Sequence, residues 1–182
     1  MHNYRIKYLG HAGFSIETNK ELFLIDPWLS PRGAFLSSWF QFPCNHHLLD
    51  TVLSIASKKK TSLYITHEHE DHFCSFTLKK LSNYLDKVFI PNYKIPTFKN
   101  LFSEIGIKTP EVLDERKWYN INNFKMLVFL DESGINRDSG VLLELPDNKK
   151  LLNLNDCKLH DKIKDIKKIY GPIDFFTCQF TG

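Results

Sequence analysis

Nowhere does the chain approach the roughly 18 consecutive apolar residues of a membrane-spanning helix. Its opening, Met1-His2-Asn3-Tyr4-Arg5, also lacks an apolar leader core. A cytoplasmic protein without a membrane partner is expected. Cysteine is sparse and scattered, at positions 44, 74, 157 and 178, and no Cys-x-x-Cys pair occurs. That argues against a disulfide scaffold and fits a reducing compartment with mostly buried thiols. Cys44-x-His46 has the form of half a Rieske ligand set, but no Rieske centre is expected. Charge of one sign is scarce too: the formal net charge is +3, and the lysines are dispersed apart from Lys58-Lys59-Lys60 and the 158–168 segment. So weak a bias gives no reason to expect nucleic acid.

Apolar material is plentiful. With 42% hydrophobic and 14% aromatic residues, 182 residues can bury one sizeable core, so a single domain over 1–182 is expected. Residues 4–9, 14–18 and 22–26 read as an antiparallel meander around the turns Gly10-His11-Ala12-Gly13 and Asn19-Lys20. Further strands are expected at 63–65, 88–90, 112–113, 124–130, 141–145 and 151–154, with Pro146-Asp147-Asn148-Lys149 as a hairpin turn. A final buried strand is expected over 173–180. Helices are expected at 48–58, 76–84, 93–105 with Pro96 in the first turn, and 158–170, whose Leu159, Ile163, Ile166 and Ile169 or Tyr170 share a face. The long segment 27–47 shows no period. Its Trp28, Phe35, Trp39, Phe40 and Phe42 either wall a substrate pocket or plug an edge of the core.

The densest chemical signal follows the apolar run Ser62-Leu63-Tyr64-Ile65. Thr66-His67-Glu68-His69-Glu70-Asp71-His72 puts three imidazoles and the Asp71 carboxylate within six residues. On an extended segment alternate side chains share a face, so His67, His69 and Asp71 are expected to converge, with His72 at a neighbouring point where the chain bends. Imidazole with carboxylate suits zinc, iron or manganese better than calcium.

His67-x-His69-x-Asp71-His72 resembles the HxHxDH motif of the metallo-β-lactamase fold superfamily. Two flanking segments are similar to that superfamily as well: Tyr8 to Glu17 with Leu22-Phe23-Leu24-Ile25-Asp26-Pro27-Trp28, and Leu151-Leu152-Asn153-Leu154-Asn155-Asp156-Cys157. More narrowly, Asp26-Pro27-Trp28-Leu29, Gly33 to Trp39 and Asn155-Asp156-Cys157 resemble the branch holding lactonase-like hydrolases and the corresponding domain of CMP-sialic acid hydroxylases. The resemblance implies an α/β (α+β) fold, a four-layer αββα sandwich, with one or two divalent metal ions at the sheet edge. Zinc comes first, with iron or manganese as alternatives. It assigns His67 and His69 to a first ion, Asp71 and His72 to a second, and Asp156 as a bridge; Asp71 is also the expected proton acceptor. Asp26 would orient the metal loop, and His11, on the hairpin tip, would touch substrate or pack against the loop.

Two departures from the pattern matter. No histidine occurs from 73 to 159, where the superfamily has one. A carboxylate after the 124–130 strand, Asp131 first and Glu132 second, is the expected replacement, and oxygen in place of nitrogen favours a harder metal. The superfamily's last histidine is also missing; His160, in the final helix, is expected to be a surface residue. The chain is therefore expected to lack the C-terminal part of the fold, as part of a longer protein, a truncated product or a chain completed by a partner, with self-association or a partner polypeptide at 173–180. Three functions stay open. The first is a hydrolase using metal-bound hydroxide on an ester, lactone or phosphoester. The second is an iron-dependent oxidoreductase or hydroxylase acting on a sugar nucleotide, and the third is a non-catalytic, metal-poor binding module.

Overall fold

Continuous apolar runs and alternating runs build different parts of the first sheet. In the computed structural model, which describes residues 4–131 and 138–179, contacts divide the chain into two compact units, residues 3–112 and residues 113–182. The first unit carries a six-stranded sheet in sequence order: β1 (Tyr4–Gly10), β2 (Gly13–Thr18), β3 (Glu21–Ile25), β4 (Lys60–Tyr64), β5 (Leu85–Pro91) and β6 (Glu111–Leu113). The alternating strands β1 and β2 pair antiparallel with each other, and β2 with β3, as hairpins allow. From β3 onwards the pairing is parallel, β3 with β4 and β4 with β5. Parallel neighbours need crossovers, supplied here by α1 (Leu49–Ala56) and α2 (Ser75–Leu81), while α3 (Phe98–Glu104) leads to β6.

All five residues of β3 are buried, as a strand covered on both faces requires. Its register sets Leu24 opposite Leu63, and Leu63 opposite Val88. Val52 of α1, Leu78 of α2 and Phe102 of α3 belong to the same buried cluster as this row. Each such leucine contributes about 1.5–3 kcal/mol by burial. The parallel strands therefore end at one well-braced edge, and the metal motif begins there.

The second unit holds a five-stranded sheet ordered β11-β10-β9-β8-β7, from β7 (Trp118–Ile121), β8 (Phe124–Leu130), β9 (Ser139–Glu144), β10 (Lys150–Asn153) and β11 (Phe175–Thr177). Among the described strands of this sheet, β10 and β11 pair parallel and the others antiparallel. Leu127, Leu142 and Leu152 form a row across β8, β9 and β10. Ile166 of α4 (Ile163–Tyr170) and Leu159 are buried in the same cluster. Gly140 of β9 is a close-packing position: a Cβ there would lie 2.8 Å from Leu154 Cδ2 and 3.1 Å from the Asn153 carbonyl oxygen.

Several expected elements need correction. The 93–105 helix shrinks to Phe98–Glu104, and Pro96 lies in the turn before it. The other three helices each include a short 3-10 turn, at His46–Leu48, Ser82–Tyr84 and His160–Lys162. The strand at 173–180 is three residues long, and Phe175 and Phe176 are exposed rather than buried. β7 was not expected at all. Its signal was the turn Asn122-Asn123, which joins Ile121 to its partner Phe124 with a positive φ of 54° at Asn122, the chemistry of a tight hairpin. No helix among the described residues is long and apolar enough to cross a membrane.

Candidate metal centre

The centre starts at the carboxyl ends of β3 and β4, where an open parallel sheet offers side chains a common edge. Ile25 and Tyr64 are partners in register, so the residues just beyond them, Asp26 and Thr66, meet. Asp26 takes a left-handed backbone, φ 41°, and its side chain is completely buried. Its carboxylate accepts three hydrogen bonds. The Thr66 amide donates to Oδ1 at 2.8 Å, and the Thr66 hydroxyl donates to Oδ2 at 2.5 Å. His72 Nδ1 lies 2.8 Å from the same Oδ2.

These contacts fix histidine protons. A carboxylate only accepts, so His72 carries its proton on Nδ1 and keeps a lone pair on Nε2. Thr66 Oγ1 spends its single proton on Asp26, so at 3.0 Å from His67 Nδ1 it acts as the acceptor. His67 therefore also presents Nε2 as a lone pair, 2.9 Å from His69 Nδ1. The His67 and His72 rings lie 4.0 Å apart between centroids. Two buried imidazoles with aimed lone pairs are a donor set for a transition metal.

The path of the motif differs from the expected one. The chain is not extended through Asp71; it turns at His69, whose carbonyl accepts the amides of His72 at 2.9 Å and Phe73 at 2.7 Å. Strand alternation therefore does not gather His67, His69 and Asp71 on one face. The turn instead sends Asp71 towards His72, 3.6 Å from Nε2, and towards His11, whose Nε2 lies 2.7 Å from Asp71 Oδ2. Burial pushes the Asp71 carboxyl up, but the electrostatic influence of its His11 and His72 neighbours outweighs it, so its pKa falls below the ordinary value. Asp71 Oδ1 is buried and has no hydrogen-bond partner.

Aromatic residues from the long loop surround His11. Trp28 and Trp39 meet its ring edge-on, with centroids 5.4 and 5.0 Å away. Phe35 stacks on Trp39 at 6.1 Å and approaches His69 at 6.3 Å. Glu70, inside the metal motif, accepts the Phe35 amide at 2.5 Å, so motif and loop are tied together. Trp28 is buried, whereas Phe35, Trp39, Phe40 and Phe42 are exposed. One of these residues thus plugs the core and the others border the centre or face solvent. Sequence reading missed Thr66 and Tyr93, whose hydroxyl donates to the Thr66 carbonyl at 2.5 Å. A threonine opening a His-rich run was the available signal for the first; Tyr93 had none.

The remaining expected ligands belong to the second unit. Asp131 ends β8 as anticipated and is buried, with its amide on the Asp138 carbonyl at 2.9 Å and its Oδ2 3.4 Å from the Lys158 amide. Asp156 follows β10 and is half-buried. Glu132 lies outside the described residues, as does the side chain of His160. The sequence does contain a second Rieske-like pair, Cys157-x-x-His160. Cys157, however, is completely buried among the leucines of the second core. Burial pushes its thiol far up, and Asp131 and Asp138 push it the same way. In the metal-free chain it is a packed neutral thiol.

The two sheets and the histidine cluster define a metal-binding fold of the metallo-β-lactamase type. The chain belongs to the β-lactamase superfamily, whose domain family matches residues 5–134, across both units. Over 98% of its length it is 28% identical to a Mycolicibacterium smegmatis protein named as a Rieske 2Fe-2S iron-sulfur protein, covering 34% of that protein. It is 26% identical over 166 residues, 84% of the chain, to the Homo sapiens inactive cytidine monophosphate-N-acetylneuraminic acid hydroxylase, covering 30% of it. Among solved structures, CmlA, a diiron β-hydroxylase from Streptomyces venezuelae, superposes with a TM-score of 0.68 at 19% identity, covering 97% of this chain and 34% of CmlA. The chain thus spans about a third of the length of these curated relatives. The branch expected from sequence holds, and members of the superfamily are mostly metal-dependent enzymes.

Proposed function

We propose that this chain is the metal-binding domain of an iron-dependent hydroxylase acting on a small molecule of the sugar-nucleotide class. The observation that carries the reading is the buried Asp26-Thr66 relay, which leaves His67 and His72 with lone pairs on Nε2 beside an ionised Asp71. Nitrogen with carboxylate oxygen around one centre suits non-haem iron. Sequence alone puts hydrolysis first; the hydroxylase and iron-sulfur relatives, matched along most of the chain, favour the oxidative reading. Asp131 and Asp156 stay in the proposal as further ligands on the sequence pattern alone, with one or two ions held. Iron, when bound, supplies the activation of dioxygen.

The protein's own part is to hold and orient. Asp26 fixes the His72 ring, and Asp71 keeps a negative charge where cationic iron needs it. Phe35 and Trp39 offer flat faces to a base or sugar ring. Converting C–H to C–OH with one atom of dioxygen, while the other leaves as water, takes two electrons and two protons. Those electrons come from a separate donor. A cytoplasmic setting, supported by four free thiols, completes the proposal.

The test is anaerobic reconstitution with Fe(II), then iron counting and oxygen uptake with a chemical reductant and a panel of sugar nucleotides. Uptake that depends on one of these compounds is expected. Zinc retained in preference to iron, with no uptake, would overturn the reading. Hydrolysis of an ester, lactone or phosphoester is the second reading. It is favoured by Asp71, an ionised carboxylate whose partnerless Oδ1 can accept a proton. Turnover of such a substrate that Asp71→Asn abolishes would establish it.

A further inference from the structure

We propose that His11 is a metal ligand. Its Nε2, the Asp71 carboxylate and His72 Nε2 together form a three-donor site for one divalent transition-metal ion. The first hairpin would thereby supply the imidazole that the superfamily pattern places late in the chain. The inference rests on the reading that the His-rich motif holds metal, and it gives His11 a role that neither the motif nor the relatives assign.

Four observations carry it. First, His11, Asp71 and His72 each offer a donor atom, all within 4.8 Å of one another. Second, His11 Nε2 and Asp71 Oδ2 are 2.7 Å apart, yet buried Nε2 has no partner that meets hydrogen-bond geometry, and buried Asp71 Oδ1 has none either. Two groups packed that closely without an aligned N–H are better explained by a shared target than by each other. Third, the His11 ring is held in place. Trp28 and Trp39 meet it at interplanar angles of 86° each, and the Tyr8 hydroxyl donates to the His11 carbonyl at 2.8 Å. Fourth, the backbone turn sets its direction: Gly10 has φ 108° and His11 itself φ 49°, a left-handed pair that takes the imidazole out of the line of the strand.

The donor set is two imidazoles and one carboxylate, a combination that leaves coordination positions open for a reacting molecule. Asp26 has already set the His72 tautomer that this requires. Metal–nitrogen distances of about 2.0–2.1 Å and metal–oxygen distances of about 2.0–2.2 Å need the His11–Asp71 contact to open by a few tenths of an ångström.

The experiment loads the chain with Zn(II) alone, counts bound ions and measures affinity by chelator competition, for the natural protein and for His11→Asn. Asparagine tolerates the left-handed backbone and removes only the imidazole. Partners that merely orient a ligand cost about 10–100-fold in metal affinity when lost. Loss of one ion per chain, or weakening of one ion by more than about 100-fold, is therefore expected. Co(II) substitution gives a direct readout. A ligating His11 should show a strongly shifted Nδ1–H proton resonance that disappears in His11→Asn. If His11→Asn fails to fold, protection of His11 from carbethoxylation by Zn(II) in the natural protein replaces it. Unchanged stoichiometry and affinity, no His11 signal in the Co(II) form, or no protection would each overturn the assignment while leaving the metal domain standing. A natural chain that binds no ion would overturn both.

Discussion

Asp26 does the most work of any single side chain here, because one buried carboxylate accepts from Thr66 twice and from His72 once. Hydrogen bonds to a charged group are worth about 1.5–3 kcal/mol each, and breaking one leaves a buried donor unpartnered. Asp26→Asn should therefore cost about 3 kcal/mol in urea denaturation of the metal-free protein, with weaker metal binding besides. Asp71 predicts a pH effect. Its folded pKa lies below the unfolded value, so its stabilisation is fully present above the ordinary carboxylate pKa and is lost as pH falls through the folded one. In acid titration of the metal-free chain, Asp71→Asn should remove that part of the acid limb. An unchanged limb would show that Asp71 is not held ionised. The thiols make a third check: Cys44 and Cys178 are exposed and should react quickly with a thiol reagent, whereas Cys74 and Cys157 are buried and should react only on unfolding.

At the scale of elements, parallel strands β3, β4 and β5 form a braced platform, and the aromatic loop is its mobile counterpart in composition only, since backbone hydrogen bonds such as Ala34 to Trp39 order it. Leu24→Ala, at a completely buried row position, should cost about 2–5 kcal/mol. Leu36→Ala should change stability by less than about 0.5 kcal/mol, because that side chain is 99% exposed. Equal effects would contradict the assigned core. Most strands were legible because alternation and continuous apolar runs report burial directly. β7 was not, because Trp118-Tyr119-Asn120-Ile121 is too short for its period to stand out. The 93–105 helix failed at its front because Pro96 and its neighbours take a turn whose geometry the local sequence leaves undecided.

For the molecule as a whole, β11 ends the second sheet with exposed Phe175 and Phe176. An edge strand with unpaired backbone groups and apolar side chains invites another strand. We propose self-association or a partner polypeptide at 173–180. Light scattering after size exclusion should show dimers or larger species that Phe176→Lys disperses, and a strictly monomeric natural chain would contradict this. The sequence by itself determined the superfamily, the histidine-rich motif and the strand that delivers it, because ligand spacing and apolar patterning are local properties written in consecutive residues. Only the tertiary structure decided that the motif turns at His69, that Asp26 and Thr66 set the histidine protons, and that His11 reaches Asp71. The Asp26–Thr66, Asp26–His72 and His11–Asp71 contacts join residues 40 to 60 positions apart, so their geometry depends on strand register and on a left-handed turn rather than on neighbours in the chain.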